Sequence, residues 1–471
     1  MRNATRTAAV AVCLLMAAGW FVWQRSAAPR PHARPTAAVR RLPANASAAL
    51  QPVAATATAT PSPSPSLAPQ PSPQPSLPKP GAPTSPPAQP LANPPEIVKA
   101  VYFTGWSAGI KRRVDYLVDL HKTTAINAVV IDIKDYSGNV AYAARATEAR
   151  QYGALRLMIR DIDALVNRLH REGIYVIARI TVFQDPVLAE ARPDLAVHRV
   201  SKLPKMPNGQ PGPLTAASLW RDRKGLAWID PASRQAWEYV LAIGRDALGH
   251  GADELNFDYV RFPSDGDLND MYFPNWDGKT PKHEVIRQFF GYLRENLEGA
   301  RISADLFGLA TVNDDDLGIG QVIEDAYGTF DYVCPMVYPS HYAHKFLGFP
   351  QPAEHPYEVV NYSMKEARSR LEDFSRPKPA PVVGQGAPAA PGRGEIQAAR
   401  LRPWIQDFNL GAKYDAPMVK AEIKAIEDAL GGRFAGYMVW APSNVYTRQA
   451  LVEPPKPPEA AQARPAQGGA N

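Results

Sequence analysis

Eight apolar, strand-like segments alternate with amphipathic helical segments from residue 96 onward, and this alternation restricts the chain to few folds. The predicted strands cover residues 100–104, 128–134, 174–181, 253–258, 302–307, 332–338, 402–406 and 435–440. Helices are predicted between them, for example over residues 159–171, 234–249 and 417–430. Strand–helix repeats in this number predict a (β/α)8 TIM barrel. The alternative is an open doubly wound sheet, but no G-x-G-x-x-G fingerprint follows the first strand.

The first 95 residues differ in composition from the predicted barrel. Arg2 and Arg6 precede an apolar run over residues 8–23, a pattern typical of a signal peptide or a short signal anchor. We therefore predict a leader over residues 1–28, with a retained membrane anchor favoured over a cleaved signal. The Pro/Ala/Ser-rich residues 29–95 predict a disordered spacer. The barrel is assigned to residues 96–452, and a disordered tail to residues 453–471.

The formal net charge of +6 does not indicate a nucleic-acid-binding protein. Eight of the 52 basic residues and none of the 46 acidic residues lie before residue 96, so the predicted barrel carries a slight acidic excess. A basic leader suits an anionic membrane surface. The expected location is extracytoplasmic, anchored at the membrane, or secreted if the leader is cleaved. Cys13 and Cys334 predict no internal disulfide bond.

The fourth predicted strand has two faces of opposite chemistry. Because side chains alternate along a strand, Glu254, Asn256 and Asp258 lie opposite Leu255 and Phe257. In a parallel barrel the carboxyl end of a strand is where catalytic groups stand. The position of Asp258 at the end of this strand therefore makes it the first candidate for a catalytic carboxylate.

Polar or aromatic side chains also follow most of the other predicted strands. The carboxyl ends of all barrel strands meet at one mouth, so these side chains are expected to converge. The predicted site consists of Asp132, Lys134, Asn256, Asp258, Arg261, Asp305, Tyr338, His341, Gln406, Asp407 and Trp440.

Several of these residues have a structural alternative. Asp258 with Arg261, and Asp132 with Lys134, would also serve as ion pairs at the barrel rim. His341 would also suit a loop-capping role. The aromatic residues would suit the barrel core, although an aromatic ring at a strand end is also a platform for a sugar ring.

Five motifs in order along the chain resemble a family of exported bacterial proteins that was first defined as a domain of unknown function and is regarded as glycoside hydrolase-like. These motifs are FDYVRFP (257–263), SADLFG (303–308), DLGIGQ (316–321), MVYPSHY (336–342) and RPWIQDF (402–408). The resemblance covers residues 99–445. It implies a TIM barrel related to the amylase-like barrels, and a sugar-cleaving activity.

Cleavage of a glycosidic bond requires one carboxyl group as proton donor and a second as nucleophile or base. By analogy with amylase-like barrels, Asp258 would be the nucleophile and Asp305 the acid/base, although those barrels usually carry Glu at the second position. Asp407 is the third catalytic candidate. However, Asp407 and Gln406 would lie on opposite faces if their strand continues through Phe408. The remaining eight residues of the predicted site are assigned to substrate binding.

Two functions remain open at this point. The first is a glycosidase that acts on an envelope or extracellular polysaccharide, and the second is a carbohydrate-binding barrel without turnover. A gap of more than about 10 Å between Asp258 and Asp305, or the sealing of either residue in a salt bridge, would favour the binding protein. No cofactor or metal is predicted. The acidic run over residues 313–316 lacks the spacing of a calcium loop, so capping by Asp315 or Asp316 is expected instead.

Overall fold

The computed structural model of the protein describes residues 85–206, 211–376 and 399–452. Eight parallel strands in these ranges form a closed barrel. They are β1 (Val98–Phe103), β2 (Ala128–Lys134), β3 (Tyr175–Thr181), β4 (Glu254–Asp258), β5 (Ile302–Phe307), β6 (Tyr332–Met336), β7 (Trp404–Gln406) and β8 (Gly436–Trp440). The predicted TIM barrel is confirmed, and all eight predicted strands are present.

Each strand pairs with the next along the chain, and β8 pairs with β1 to close the barrel. The junction between β6 and β7 is short, because only Trp404 and Met336 pair across it. The two-residue strand Arg400–Leu401 extends this junction along β6. A separate antiparallel ribbon joins His198–Arg199 to Met271–Tyr272 in the loops above the barrel.

The α-helices of the described residues surround the barrel. They cover Gly105–Ala108, Lys111–Thr123, Thr147–Gln151, Ile162–Arg171, Pro186–Ala191, Arg234–Gly249, Lys282–Asn296, Ile323–Tyr327, Pro356–Ser375, Ala416–Leu430 and Arg448–Leu451. The helix predicted over residues 159–171 begins later, at Ile162, because the side chain of Asp161 caps it by accepting the N–H of Ala164 at 2.8 Å. Its buried face includes Leu165 and Leu169, which pack into the main core.

A buried ion pair occupies the barrel interior below the pocket. The side chains of Glu254 and Arg402 are both 0% exposed, and Arg402 donates two hydrogen bonds to the Glu254 carboxylate, one of them at 3.1 Å. Ser303 donates to the same carboxylate at 2.6 Å, and the Arg402 guanidinium lies 3.9 Å from the ring centroid of Tyr332. These contacts supply the partners that a buried charge pair needs.

The segment 85–95 lies against the barrel, although the sequence assigns it to the spacer. The Leu91 N–H donates to Asp253 at 2.6 Å, and Ala88 is buried. Ala88 packs on Gly251, whose φ of 82° and close neighbour leave no room for a Cβ atom. The predicted leader, the rest of the spacer and the tail lie outside the described residues. No helix within the described ranges is long and apolar enough to cross a membrane.

Candidate active site

A pocket with a volume of about 200 Å³ opens at the carboxyl ends of the strands. Six residues of the predicted site line it, namely Asp258, Arg261, Asp305, Tyr338, His341 and Trp440. The convergence expected from strand ends is therefore observed for more than half of the set. Polar side chains at the base and aromatic side chains on one wall give this pocket the character of a binding site for a polar ligand with apolar faces.

Arg179 on β3 is the charged centre of the pocket floor. Its guanidinium forms ion pairs with Asp132 on β2 and Asp258 on β4, and its Nε lies 3.5 Å from Oδ2 of Asp305 on β5. Arg179 also lies over the ring of Tyr102, which donates a hydrogen bond to Asp132. One cation thus holds three buried carboxyl groups from three strands in a fixed arrangement.

The turn after Asp258 is strained in a way that serves the pocket. Tyr259 has a φ of 55°, a left-handed conformation that is costly for a side chain of this size. Its N–H donates to Oδ1 of Asp258 at 2.5 Å, which fixes the carboxylate from the side opposite Arg179. Arg261, which lies three residues after Asp258, also lines the pocket.

Asp305 is a carboxyl group in a dry, structured environment. Its Oδ1 accepts hydrogen bonds from Asn256 at 2.9 Å and from the indole N–H of Trp404 at 2.7 Å. Oδ2 has no hydrogen-bond partner among the described residues, and Asp305 is 1% exposed. Burial, together with the negative charge of Asp258, raises the pKa of Asp305 to about 8. This shift favours the protonated form of the group.

Asp258 and Asp305 stand side by side on neighbouring strands. Phe257 pairs with Ala304 in the register between β4 and β5, so the next residue on each strand points into the barrel at the same level. Parallel strands lie about 4.8 Å apart, so the two carboxyl groups are neighbours rather than opposite walls. A carboxylate and a protonated carboxyl group in this relation can act as nucleophile and proton donor.

Aromatic side chains form the wall on the side of β6, β7 and β8. The rings of Tyr338 and Trp440 lie 5.9 Å apart between centroids, and Phe408 packs edge-on against Trp440 at 4.9 Å. His341 packs against Tyr338, and burial lowers the pKa of His341 to about 4, so its imidazole is neutral at physiological pH. Trp440 is partly exposed to the pocket, as the sugar-platform interpretation requires.

Three predicted site residues lie outside the pocket lining, and two of them contact residues that line it. Asp132 contacts Arg179, and burial raises the pKa of Asp132 to about 6. Asn256 donates to Asp305 and so orients it. Lys134 is fully buried in an ion pair with Asp185 at 2.9 Å and does not reach the pocket. The predicted substrate contact of Lys134 therefore has no support from its position.

Gln406 and Asp407 also lie outside the pocket lining. Gln406 is the last residue of β7, and Asp407 follows it. The Gln406 side chain accepts a hydrogen bond from the hydroxyl of Ser340 at 2.7 Å, which ties β7 to the loop that carries Tyr338. Asp407 accepts two hydrogen bonds from Thr447, both at 2.7 Å, and so anchors the loop after β8. Both residues have positioning contacts, and neither contacts Asp258 or Asp305.

The two ion pairs considered as structural alternatives do not form. Asp258 pairs with Arg179 rather than Arg261, and Lys134 pairs with Asp185 rather than Asp132. A register irregularity between Asp132 and Lys134 interrupts the normal alternation of β2, so the two side chains do not share a partner.

Other residues that line the pocket were not part of the predicted site. Among them are Tyr102, Tyr136, Arg179, Gln184, Asp222, Lys224, Trp228, Tyr259, Ser264, Asp265 and Trp404. Arg179 carried a detectable signal, since it is the one charged side chain in an otherwise apolar strand. Asp222 and Lys224 lie between β3 and β4, outside every predicted strand and helix.

No group of three or more His, Cys, Asp or Glu side chains within the described residues is arranged to hold a metal ion. The acidic run forms a turn. Asp315 accepts the N–H of Leu317 at 3.1 Å, and Asp316 accepts the N–H of Gly318 at 2.9 Å. These contacts are the local capping that the sequence favoured over a calcium loop.

Comparison with known families provides the classification. The sequence profile of a family described as "putative glycosyl hydrolase domain" matches residues 100–446, which is most of the chain. The chain belongs to this family. The family membership confirms the resemblance found in the motifs and identifies the barrel as a glycosidase-type domain. No curated protein matches the chain in sequence.

Solved structures with a similar barrel include three bacterial proteins. A hypothetical protein from Ruminiclostridium thermocellum is 37% identical over 46% of this chain and 98% of its own, with a TM-score of 0.38. The glycoside hydrolase domain of PgaB (BpsB) from Bordetella bronchiseptica is 14% identical over 76% of this chain and 99% of its own, with a TM-score of 0.47. The glycoside hydrolase domain of PelA from Pseudomonas aeruginosa is 9% identical over 74% and 96%, with a TM-score of 0.36.

Proposed function

We propose that this glycosyl hydrolase family member cleaves glycosidic bonds in its pocket with Asp258 and Asp305 as the catalytic pair. The observation that carries the proposal is the adjacency of an Arg179-bound carboxylate and a carboxyl group whose pKa is raised to about 8. The surroundings of the two side chains differ, because Asp258 is paired with Arg179 whereas burial and the Asp258 charge raise the pKa of Asp305. Glycosidases need this difference, since one group attacks and the other donates a proton.

The proposed reaction has two steps, formation of a glycosyl ester and its hydrolysis. Asp258 attacks the anomeric carbon while Asp305 gives its proton to the departing glycosidic oxygen, so the sugar becomes an ester of Asp258 and the leaving group departs as an alcohol. Asp258 is now uncharged, which removes one cause of the raised pKa of Asp305. Asp305 then takes a proton from water, and the hydroxide cleaves the ester. Arg179 remains neutralised by Asp132 during the ester stage.

The residues around this pair have supporting roles in the proposal. Trp440 and Tyr338 stack on the faces of the sugar, and neutral His341 binds a hydroxyl group. Asn256, Asp132 and Gln406 position the pocket residues from behind. In this proposal the predicted catalytic residue Asp407 anchors the loop after β8, and Lys134 pairs with Asp185, so neither is assigned a contact with substrate.

The expected substrate is a polysaccharide of the envelope or the surroundings. The basic and apolar start of the chain supports export, with the barrel held at the membrane or secreted.

A carbohydrate-binding barrel without turnover is the second candidate. One observation favours it: Asp258 is bound in an ion pair with Arg179, and Asp305 is only 1% exposed. A carboxylate that remains in its ion pair would leave the aromatic wall able to bind sugar but the carboxyl pair unable to react.

Site-directed variants distinguish the two candidates. The barrel from residue 85 onward is incubated with bacterial exopolysaccharides, wall glycans, and α- and β-glucans, and both reducing ends and binding are measured. Asp258→Asn and Asp305→Asn should each lower the rate by about 10³-fold or more while binding persists. Asp407→Asn is the matched control and should retain most activity. Binding without release of reducing ends by the wild-type protein would establish the second candidate.

A further inference from the structure

Arg261 is a buried cation that forms no direct ion pair, although three carboxylates lie in its vicinity. Its side chain lines the pocket at 7% exposure, and it forms no ion pair with any carboxylate of the described residues. Of the three carboxylates near Arg261, Asp258 is bound by Arg179 and Asp222 accepts a hydrogen bond from Gln184 at 2.6 Å, whereas Asp265 lies near Arg261 without forming an ion pair with it. A buried charge in this state is costly unless a ligand supplies the opposite charge.

The surroundings of Arg261 hold the guanidinium in one orientation. The rings of Trp228, Tyr259 and Phe307 lie 4.8, 5.2 and 4.6 Å from the guanidinium carbon. Nη1 donates to the carbonyl of Phe262 at 3.1 Å and to the hydroxyl of Ser264 at 3.0 Å. The opposite edge, Nε with Nη2, makes no hydrogen bond within the described part of the chain.

A free guanidinium edge presents two parallel N–H donors, which match the two oxygens of a carboxylate. Aromatic faces around the cation exclude water and strengthen such a contact. Lys224 also lines the pocket and carries a positive charge. Burial and Asp258 raise the pKa of Asp305, which favours its uncharged form.

We infer that Arg261 forms a carboxylate-binding subsite and that the substrate of this pocket contains a uronic acid residue. The inference rests on the proposed function for its place in a polysaccharide-cleaving site. It adds the chemical class of the sugar, which neither the family description nor the motifs supply.

Direct binding of free sugars tests the inference independently of linkage and turnover. The dissociation constants of D-glucuronate and D-galacturonate are compared with those of glucose and galactose by NMR titration at neutral pH. At least one uronate should bind the wild-type barrel about 10-fold or more tightly than its neutral parent. Arg261→Gln should abolish this preference, whereas Arg261→Lys should retain part of it through the charge alone.

A substitution at Asp265 provides a matched variant that should change the uronate affinity in the opposite direction. Asp265 lines the pocket in the vicinity of Arg261 and would repel a carboxylate. Asp265→Asn should therefore increase the affinity for uronates relative to the affinity for the neutral sugars. Equal affinities for uronates and neutral sugars, or no binding of either, would overturn the inference. Uronate preference without hydrolysis of any polymer would refute the proposed activity and leave the subsite standing.

Discussion

The guanidinium of Arg179 binds the carboxylate of Asp258 across two neighbouring strands, although 79 residues separate them in the chain. The same guanidinium binds Asp132 and approaches Asp305. Removal of this one side chain would leave three buried carboxyl groups without a cation. The charge states of the whole pocket floor therefore depend on a residue that is itself only partly accessible to substrate.

We expect Arg179→Met to be destabilised by about 3–5 kcal/mol at neutral pH, because it leaves buried charges uncompensated. The deficit should shrink in acid, because burial raises the pKa of Asp132 to about 6 and its protonated form no longer needs the cation. Urea denaturation at several pH values measures both effects. Arg179→Lys is the control, since it keeps the charge but loses the paired donors, and it should be affected less. A deficit that does not depend on pH would argue against this electrostatic role.

The catalytic rate should fall as the pH rises through about 8. Burial and the Asp258 charge raise the pKa of Asp305, so this group is protonated below that pH and loses its proton above it. A proton donor is active only in its protonated form, so kcat/KM should decline about tenfold per pH unit on the alkaline side.

The same shift predicts a stability effect with a defined sign. The folded state binds the Asp305 proton more tightly than the unfolded state, so the contribution is present at low pH and is lost as the pH rises to about 8. Asp305→Asn should therefore be more stable than the wild-type protein at pH 9, as measured by thermal unfolding.

The substitution Asp258→Asn should lower the pKa of Asp305, because it removes a neighbouring negative charge. Carbon NMR of the Asp305 carboxyl group measures this pKa.

The side-by-side position of Asp258 and Asp305 predicts retention of anomeric configuration. Carboxyl groups about 5–5.5 Å apart belong to retaining glycosidases, whereas inverting enzymes need about 6.5–9.5 Å to admit a water molecule. Asp258 and Asp305 occupy matching positions on adjacent strands about 4.8 Å apart, which favours the shorter range. Proton NMR of the first product released from a substrate found in the panel should show the substrate's own anomer before mutarotation. The opposite anomer would require a different second carboxylate.

The buried pair of Glu254 and Arg402 predicts a strong asymmetry between single and double variants. Arg402→Met leaves the Glu254 charge alone in the barrel interior and should cost about 3–5 kcal/mol. The double variant Glu254→Leu with Arg402→Met removes both charges and should recover much of this loss. Guanidinium denaturation of the single and double variants gives the coupling. Additive losses would indicate that packing rather than charge dominates at this position.

Strand positions were predictable to within a few residues because burial on both faces leaves a clear apolar run. β2 and β5 have the predicted bounds of 128–134 and 302–307. The predicted strand over residues 332–338 ends earlier, at Met336, where the chain turns into the loop that carries Tyr338. The strand over residues 402–406 begins only at Trp404, after Arg402 has turned into the barrel to meet Glu254.

The sequence by itself determined the barrel and identified the strand ends where Asp258, Asp305 and Trp440 stand, because periodicity and apolar runs are local properties of a chain. Only the tertiary structure decided which charges meet. Arg179 reaches Asp132 and Asp258 from a strand between theirs, and the left-handed turn at Tyr259 directs Arg261 away from Asp258. Partner choice depends on register, bulges and the closure of the barrel, which are long-range properties that no single segment specifies.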